Sequence, residues 1–144
     1  MKDVYGAVVT LLRADTAIAT IVGDVNTKIG ARITGPPAVK LIQNVTTLRP
    51  FGALSGWLGL QRAIYFARCF GVVTDADPTG SILATQLAGA VVDALHNKTP
   101  RTVGTAFLCR AYAPDIAGVE RDPDKLWPYN DVRVEIIAGA QAVA

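Results

Sequence analysis

The sequence predicts an α+β domain: a mainly antiparallel sheet of four to five strands, with an N-terminal helix and one long helix over residues 78–97 packed on it. Apolar residues recur at helical spacing near the N-terminus and again from Leu83 to Leu95. Elsewhere, β-branched and aromatic residues alternate in short runs bounded by Gly, Pro and Asp.

Val4, Ala7, Val8, Leu11 and Leu12 follow the i, i+3, i+4, i+7, i+8 pattern, with Asp3 as a candidate N-cap. Asp15 and Thr16 interrupt it. Ala17, Ile18, Ile21 and Val22 then predict a second short helix closed by Gly23, a residue suited to a left-handed C-cap. A turn at Gly23-Asp24 leads to a short strand over 28–33, and Gly35-Pro36-Pro37 stops any regular element. Residues 39–47 alternate and are β-branched, which predicts a strand.

Residues 49–59 (Arg-Pro-Phe-Gly-Ala-Leu-Ser-Gly-Trp-Leu-Gly) combine backbone freedom with the large apolar Phe51, Leu54, Trp57 and Leu58. A loop with such side chains either folds back on its own core or docks into a partner. The longest strand is expected over 60–73. Both of its parities carry apolar residues, so both faces are expected to be at least partly covered.

Asp77-Pro78 predicts a helix start, with Asp as N-cap and Pro at the first helical position. Leu83, Leu87, Val91 and Leu95 form its ridge. His96, Asn97 and Lys98 suit its end, and Pro100 stops it. Strands are expected over 102–112 and 128–137, joined by a polar connection over 114–125; residues 138–144 read as a frayed tail. No linker or repeat divides the 144 residues, which read as one domain.

With 51% hydrophobic and 18% charged residues, the chain can build a core. Its net charge of +2 comes from scattered Lys and Arg rather than a basic stripe, which argues against nucleic-acid binding. Cys69 and Cys109 fall in predicted strands, without a zinc pattern; buried free thiols are the expected state, with a disulfide between the two as the alternative. No signal-peptide pattern and no apolar run of membrane-spanning length is present, so an intracellular domain is expected. The Asn44-Val45-Thr46 triplet is then a chance match to a glycosylation acceptor.

The single histidine, His96, reads as a helix-end residue. No nucleophile, phosphate-loop or metalloprotease motif occurs. Asp115, Glu120, Asp122, Asp124 and Asp131 lack the ligand spacing of a calcium loop and read as an acidic turn. Catalytic, metal and cofactor sites are therefore all expected to be absent. Arg62 and Arg68 share a strand parity and suit ion pairs within the chain or between subunits. Trp127 and Tyr129, flanking Pro128, suit edge packing or an interface anchor. The expected contact residues are thus Phe51, Leu54, Trp57, Leu58, Arg62, Arg68, Trp127 and Tyr129.

The helix over 4–13, the segment Ala17-Ile18-Ala19-Thr20-Ile21-Val22-Gly23, and the strand ending at Ile33 together resemble the opening of tail-completion or tail-terminator proteins of long-tailed bacteriophages. The later order is also similar: a strand ending at Val73, a helix over 77–97, a strand, the Asp122-Pro123 turn and a strand ending at Ile137. The apolar character of residues 51–59 departs from it.

The resemblance implies a non-enzymatic virion protein without cofactor, forming a ring, commonly a hexamer. The ring would cap the tail tube at the head junction after assembly in the host cytoplasm. Implied partners are other copies of the chain, the tail tube protein and a head–tail connector or head-closure protein, with no membrane and no sequence-specific nucleic acid. Another connector or head-closure part fits the same residues. So does a different class, a small oligomeric enzyme or ligand-binding domain with a pocket over the sheet.

Overall fold

A computed structural model describes residues 4–47, 61–96, 101–103, 106–112 and 120–139, and within them the α+β class holds. Helix α1 (Val4–Ala14) meets α2 (Thr16–Val22) at an 80° bend. The bend falls at Asp15, whose carboxylate accepts the Ile18 N–H at 3.0 Å and so starts the second helix. Gly23 ends α2 at φ 81°, its N–H donating to the Ala19 carbonyl. The strand expected over 28–33 shrinks to β1 (Ile29–Gly30), because a helical turn, α3 (Val25–Lys28), comes first. Asp24 caps that turn by accepting the Asn26 N–H.

Strand β2 (Ala38–Thr47) follows Pro36-Pro37, and β3 (Gln61–Phe70) is the spine of the sheet. Helix α4 (Ser81–Leu95) starts later than the Asp-Pro signal implies. Residues 77–80 form a separate turn, in which the Gly80 N–H donates to the Asp77 carbonyl. Asp77 still caps the helix from outside it: its carboxylate accepts the Ile82 N–H at 2.9 Å. The stretch expected as one strand over 102–112 is two, β4 (Arg101–Val103) and β5 (Ala106–Tyr112), paired antiparallel. After β6 (Glu120–Arg121), β7 (Pro128–Gly139) takes Ala138 and Gly139 into the ladder, so those two residues are not frayed.

The seven-stranded sheet has the order β1-β2-β3-β7-β5-β4, with β6 paired to β7. It is antiparallel except at β1–β2. Of the expected strands, 28–33 persists as the two-residue β1, 39–47 as β2, 60–73 as β3, 102–112 as the pair β4 and β5, and 128–137 as β7; the two-residue β6 was not expected.

Alternation along β3 and β7 decides where the core lies. Ala63, Tyr65, Ala67 and Cys69 on β3, with Val132, Val134 and Ile136 on β7, are buried in one cluster with Leu87, Ala88, Val91 and Leu95 of α4. Val8, Leu12, Ile18 and Val22 close the same cluster from α1 and α2. Leu83, expected on the ridge of α4, is only half-buried, whereas Ala84 is fully buried. Small residues face the sheet at this end of the helix and let it approach closely. Cys69 is a buried free thiol, and burial pushes its pKa far up, which makes it a poor nucleophile. Cys109 lies in β5 at a register shift between Leu108 and Arg110; its side chain is outside the described residues. No single described helix is long and apolar enough to cross a membrane.

Candidate interaction surface

The helices occupy one side of the sheet. The other side carries the opposite parity: Ile64, Phe66, Arg68 and Phe70 of β3 stand across from Glu135, Arg133, Asp131 and Tyr129 of β7. At one end of this face the polar and aromatic side chains interlock. Arg68 makes a two-point ion pair with Asp131, Nε to Oδ1 at 3.0 Å and Nη2 to Oδ2 at 3.1 Å. Its guanidinium also lies 4.1 Å from the centroid of the Tyr129 ring. Phe70 meets Trp127 and Tyr129 edge-on, at 5.5 and 5.8 Å between centroids. The Tyr129 hydroxyl donates to Glu120 at 3.0 Å. Hydrogen bonding to Asp131 holds the Arg68 pKa above its ordinary value. Burial, then the bond to Glu120, raises that of Tyr129.

The turn between β6 and β7 is built by Asp122. Its Oδ1 accepts the N–H groups of Lys125 and Asp124 at 2.8 and 2.9 Å. Those bonds, the one from Lys125 foremost, lower the Asp122 pKa; Arg68 and Lys40 add to the effect. The turn presents Leu126, which is 64% exposed and sits at φ 58°, a conformation that branched and bulky residues avoid. Arg121 fixes that conformation from below, donating to the Leu126 carbonyl at 3.0 Å and to the Thr79 carbonyl at 3.5 Å. An exposed leucine held in strained backbone by its own loop is a feature of contact surfaces rather than of cores.

Beside the turn lies a groove of about 460 Å³, with Phe70 and Trp127 among its walls and Arg32, Lys40, Lys125 and Asp122 bringing charge of both signs. Such a lining suits another protein surface better than a small apolar ligand. Among the described residues, no three His, Cys, Asp or Glu side chains stand together to hold a metal. The acidic residues of this region have structural partners instead: Asp122 the turn amides, Glu120 Tyr129, and Asp131 Arg68.

Acid should therefore loosen the turn. A carboxylate with a lowered folded pKa contributes stability above its unfolded value, about 3.9, and loses it as pH falls through the folded value. The amide resonance of Lys125 should report a transition with a midpoint below ~3.9, and that transition should be lost in Asp122→Asn. A midpoint at or above the ordinary value would show that the turn bonds do not hold the carboxylate.

Arg68, Trp127 and Tyr129, expected as contact residues, are thus brought together around Phe70. Arg68 is committed to a pair within its own chain. Arg62 sits on β3 across from Thr47 and Ile137, with its side chain outside the described residues. Phe51, Leu54, Trp57 and Leu58 also lie outside them, as does Asp115. Leu126 was not expected; the signal was one aliphatic residue inside an otherwise polar turn, Asp-Pro-Asp-Lys-Leu. Asp131 was read only as part of an acidic run. Its parity, opposite to that of Val132, could have paired it with Arg68.

Among the described residues, the helices on one side of the sheet and the interlocked face on the other define an α+β protein. No family model and no curated protein matches the chain. By fold it is similar to a chain of the solved virion of a native gene transfer agent (GTA) particle, with a TM-score of 0.63 and 18% identity, covering 94% of each chain. At that identity the likeness establishes a shared fold.

Proposed function

We propose that the chain is a structural protein of a phage-like virion, and that it forms a ring, as a hexamer, that terminates the tail tube and joins it to the head. The observation that carries this reading is the fold shared with a GTA virion chain along 94% of both chains. A match of that extent leaves little of the chain for an added catalytic unit. The surface supports the same class: a preformed turn displaying Leu126 and a mixed-charge groove are recognition features without an acid–base pair. On this reading the protein acts by shape, without catalysis or cofactor, and its partners are its own copies, the tube protein and a connector. A head-closure or connector ring is the second reading, favoured by the same fold.

Native mass spectrometry should show a closed oligomer, and negative-stain images should show rings that cap purified tail tubes. Trp57→Ser should leave the melting temperature of the protomer unchanged while weakening the ring. A chain that remains monomeric at every concentration, or a mutant protomer that melts much earlier, would refute this account of the ring and of residues 49–59 respectively.

A further inference from the structure

The edges of the sheet point to how copies join. Strand β1 lies beside β2 only at Val39 and Lys40, because the chain leaves the sheet directly after Gly30 through a bend at 31–32. Strand β4 lies beside β5 only from Ala106 to Leu108. Among the described residues, no strand pairs with the outer edge of β2 over 41–47 or with that of β5 over 109–112. Open edges of this kind present unpaired N–H and C=O groups and template further pairing.

The two edges fit each other in direction. From β2 through β3 and β7 to β5, every neighbour is antiparallel, so β2 and β5 run in opposite senses. A second copy set beside the first in the same orientation therefore brings its β2 antiparallel to β5. They also fit in height. Thr47 faces Arg62, Arg62 faces Ile137, and Ile137 faces Arg110. Thr46, Ala63, Ile136 and Ala111 form the next row, and Val45, Ile64, Glu135 and Tyr112 the one after. Residues 45–47 thus lie level with 110–112 across the sheet. Register shifts at Gln43/Val45 and Leu108/Arg110 fall just outside these segments, where bulges commonly end a pairing.

We propose that the edge of β2 at residues 45–47 pairs antiparallel with the edge of β5 at residues 110–112 of a second copy, so that the sheet continues from subunit to subunit. This deepens the ring reading and rests on it. A second copy is the occupant because the chain itself carries both complementary edges. A head-to-tail contact repeats; the level edges remove the rise between steps, and with a fixed rotation of each subunit against the next the repeat closes into a ring.

The test is Thr46→Cys with Ala111→Cys on a Cys109→Ser background, oxidised after assembly. Residues directly opposite in an antiparallel pair have Cα atoms about 4.5–5.5 Å apart, within disulfide reach. Within one subunit the two positions are about 14 Å apart, three strand spacings, and cannot bond. The expected result is a ladder of covalent oligomers ending at the ring size, with neither single-cysteine variant giving it. In parallel, hydrogen exchange of the unmodified protein should show the amides of 45–47 and 110–112 gaining protection on assembly. Rings without the ladder, and without that protection, would overturn this pairing and leave the ring standing. A protein that is only ever monomeric would overturn both.

Discussion

Gly71→Ala is expected to destabilise the fold by ~3 kcal/mol or more, at or beyond the upper end for a small-to-large change in a packed site. Gly71 follows the last residue of β3, and its N–H donates to the Pro128 carbonyl at 2.8 Å, which extends the β3–β7 ladder by one step. A methyl group there would fall on the carbonyl oxygen of Gly80 and within 2.8 Å of the Ala84 nitrogen. Both obstacles are backbone at the start of α4, so no rotamer change relieves them. Gly80 cannot give way freely. It sits at φ 71°, and a Cβ on it would collide with the Pro128 ring. The strand end, the helix start and the first residue of β7 therefore form one tight junction. The check is a thermal melt, in which a loss of this size should lower the midpoint by about 10 °C. A shift under a degree or two would mean that α4 can lift off the sheet at its N-terminus without cost.

That junction marks where sequence reasoning ends. Asp77-Pro78 is a sound helix-start signal, and Asp77 does cap α4, but across the turn that contains Gly80. Which turn intervenes is decided by the approach of Gly71 to Gly80 and Ala84, a tertiary fact with no local signature. The ridge of α4 was legible because burial imposes a period: Leu87, Val91 and Leu95 are fully buried. Its outer margin was not, since Leu83 and Ala84 differ in size in the sense opposite to their burial. Likewise Val132, Val134 and Ile136 declared their face by alternation, whereas the division of 101–112 into β4 and β5 had Gly104 as its one sequence signal.

The candidate surface was legible in its aromatic residues and less so in its geometry. Trp127 and Tyr129 beside Pro128 mark a strand start with large side chains. Arg68 and Asp131, 63 positions apart, meet only because β3 and β7 are central neighbours in the sheet. Strand order is the part of an antiparallel fold that a periodic pattern does not encode, and both the ion pair and the level edges of β2 and β5 follow from it.

Leu87→Ala should cost ~2–5 kcal/mol, the range for deleting a buried leucine. Leu87 is fully buried near the middle of α4, in the cluster that joins the helix to β3 and β7 on one side and to α1 and α2 on the other. A cavity there has no simple route to collapse. The helix is held to the sheet at its N-terminal end by the glycine junction, and Val91 and Leu95 fix the next turns. The change should therefore fall toward the upper part of that range. Ile82→Ala is the internal control: it lies on the same helix, but the side chain is 56% exposed and the expected change is within about 0.5 kcal/mol. Urea denaturation of both variants gives the comparison, with an unchanged slope confirming that the unfolding reaction is the same. Equal losses in the two variants would mean that burial against the sheet does not distinguish these two faces of α4, since alanine is the better helix former at both positions. A loss under half a kcal/mol at Leu87 would mean that the helix turns a different face to the core.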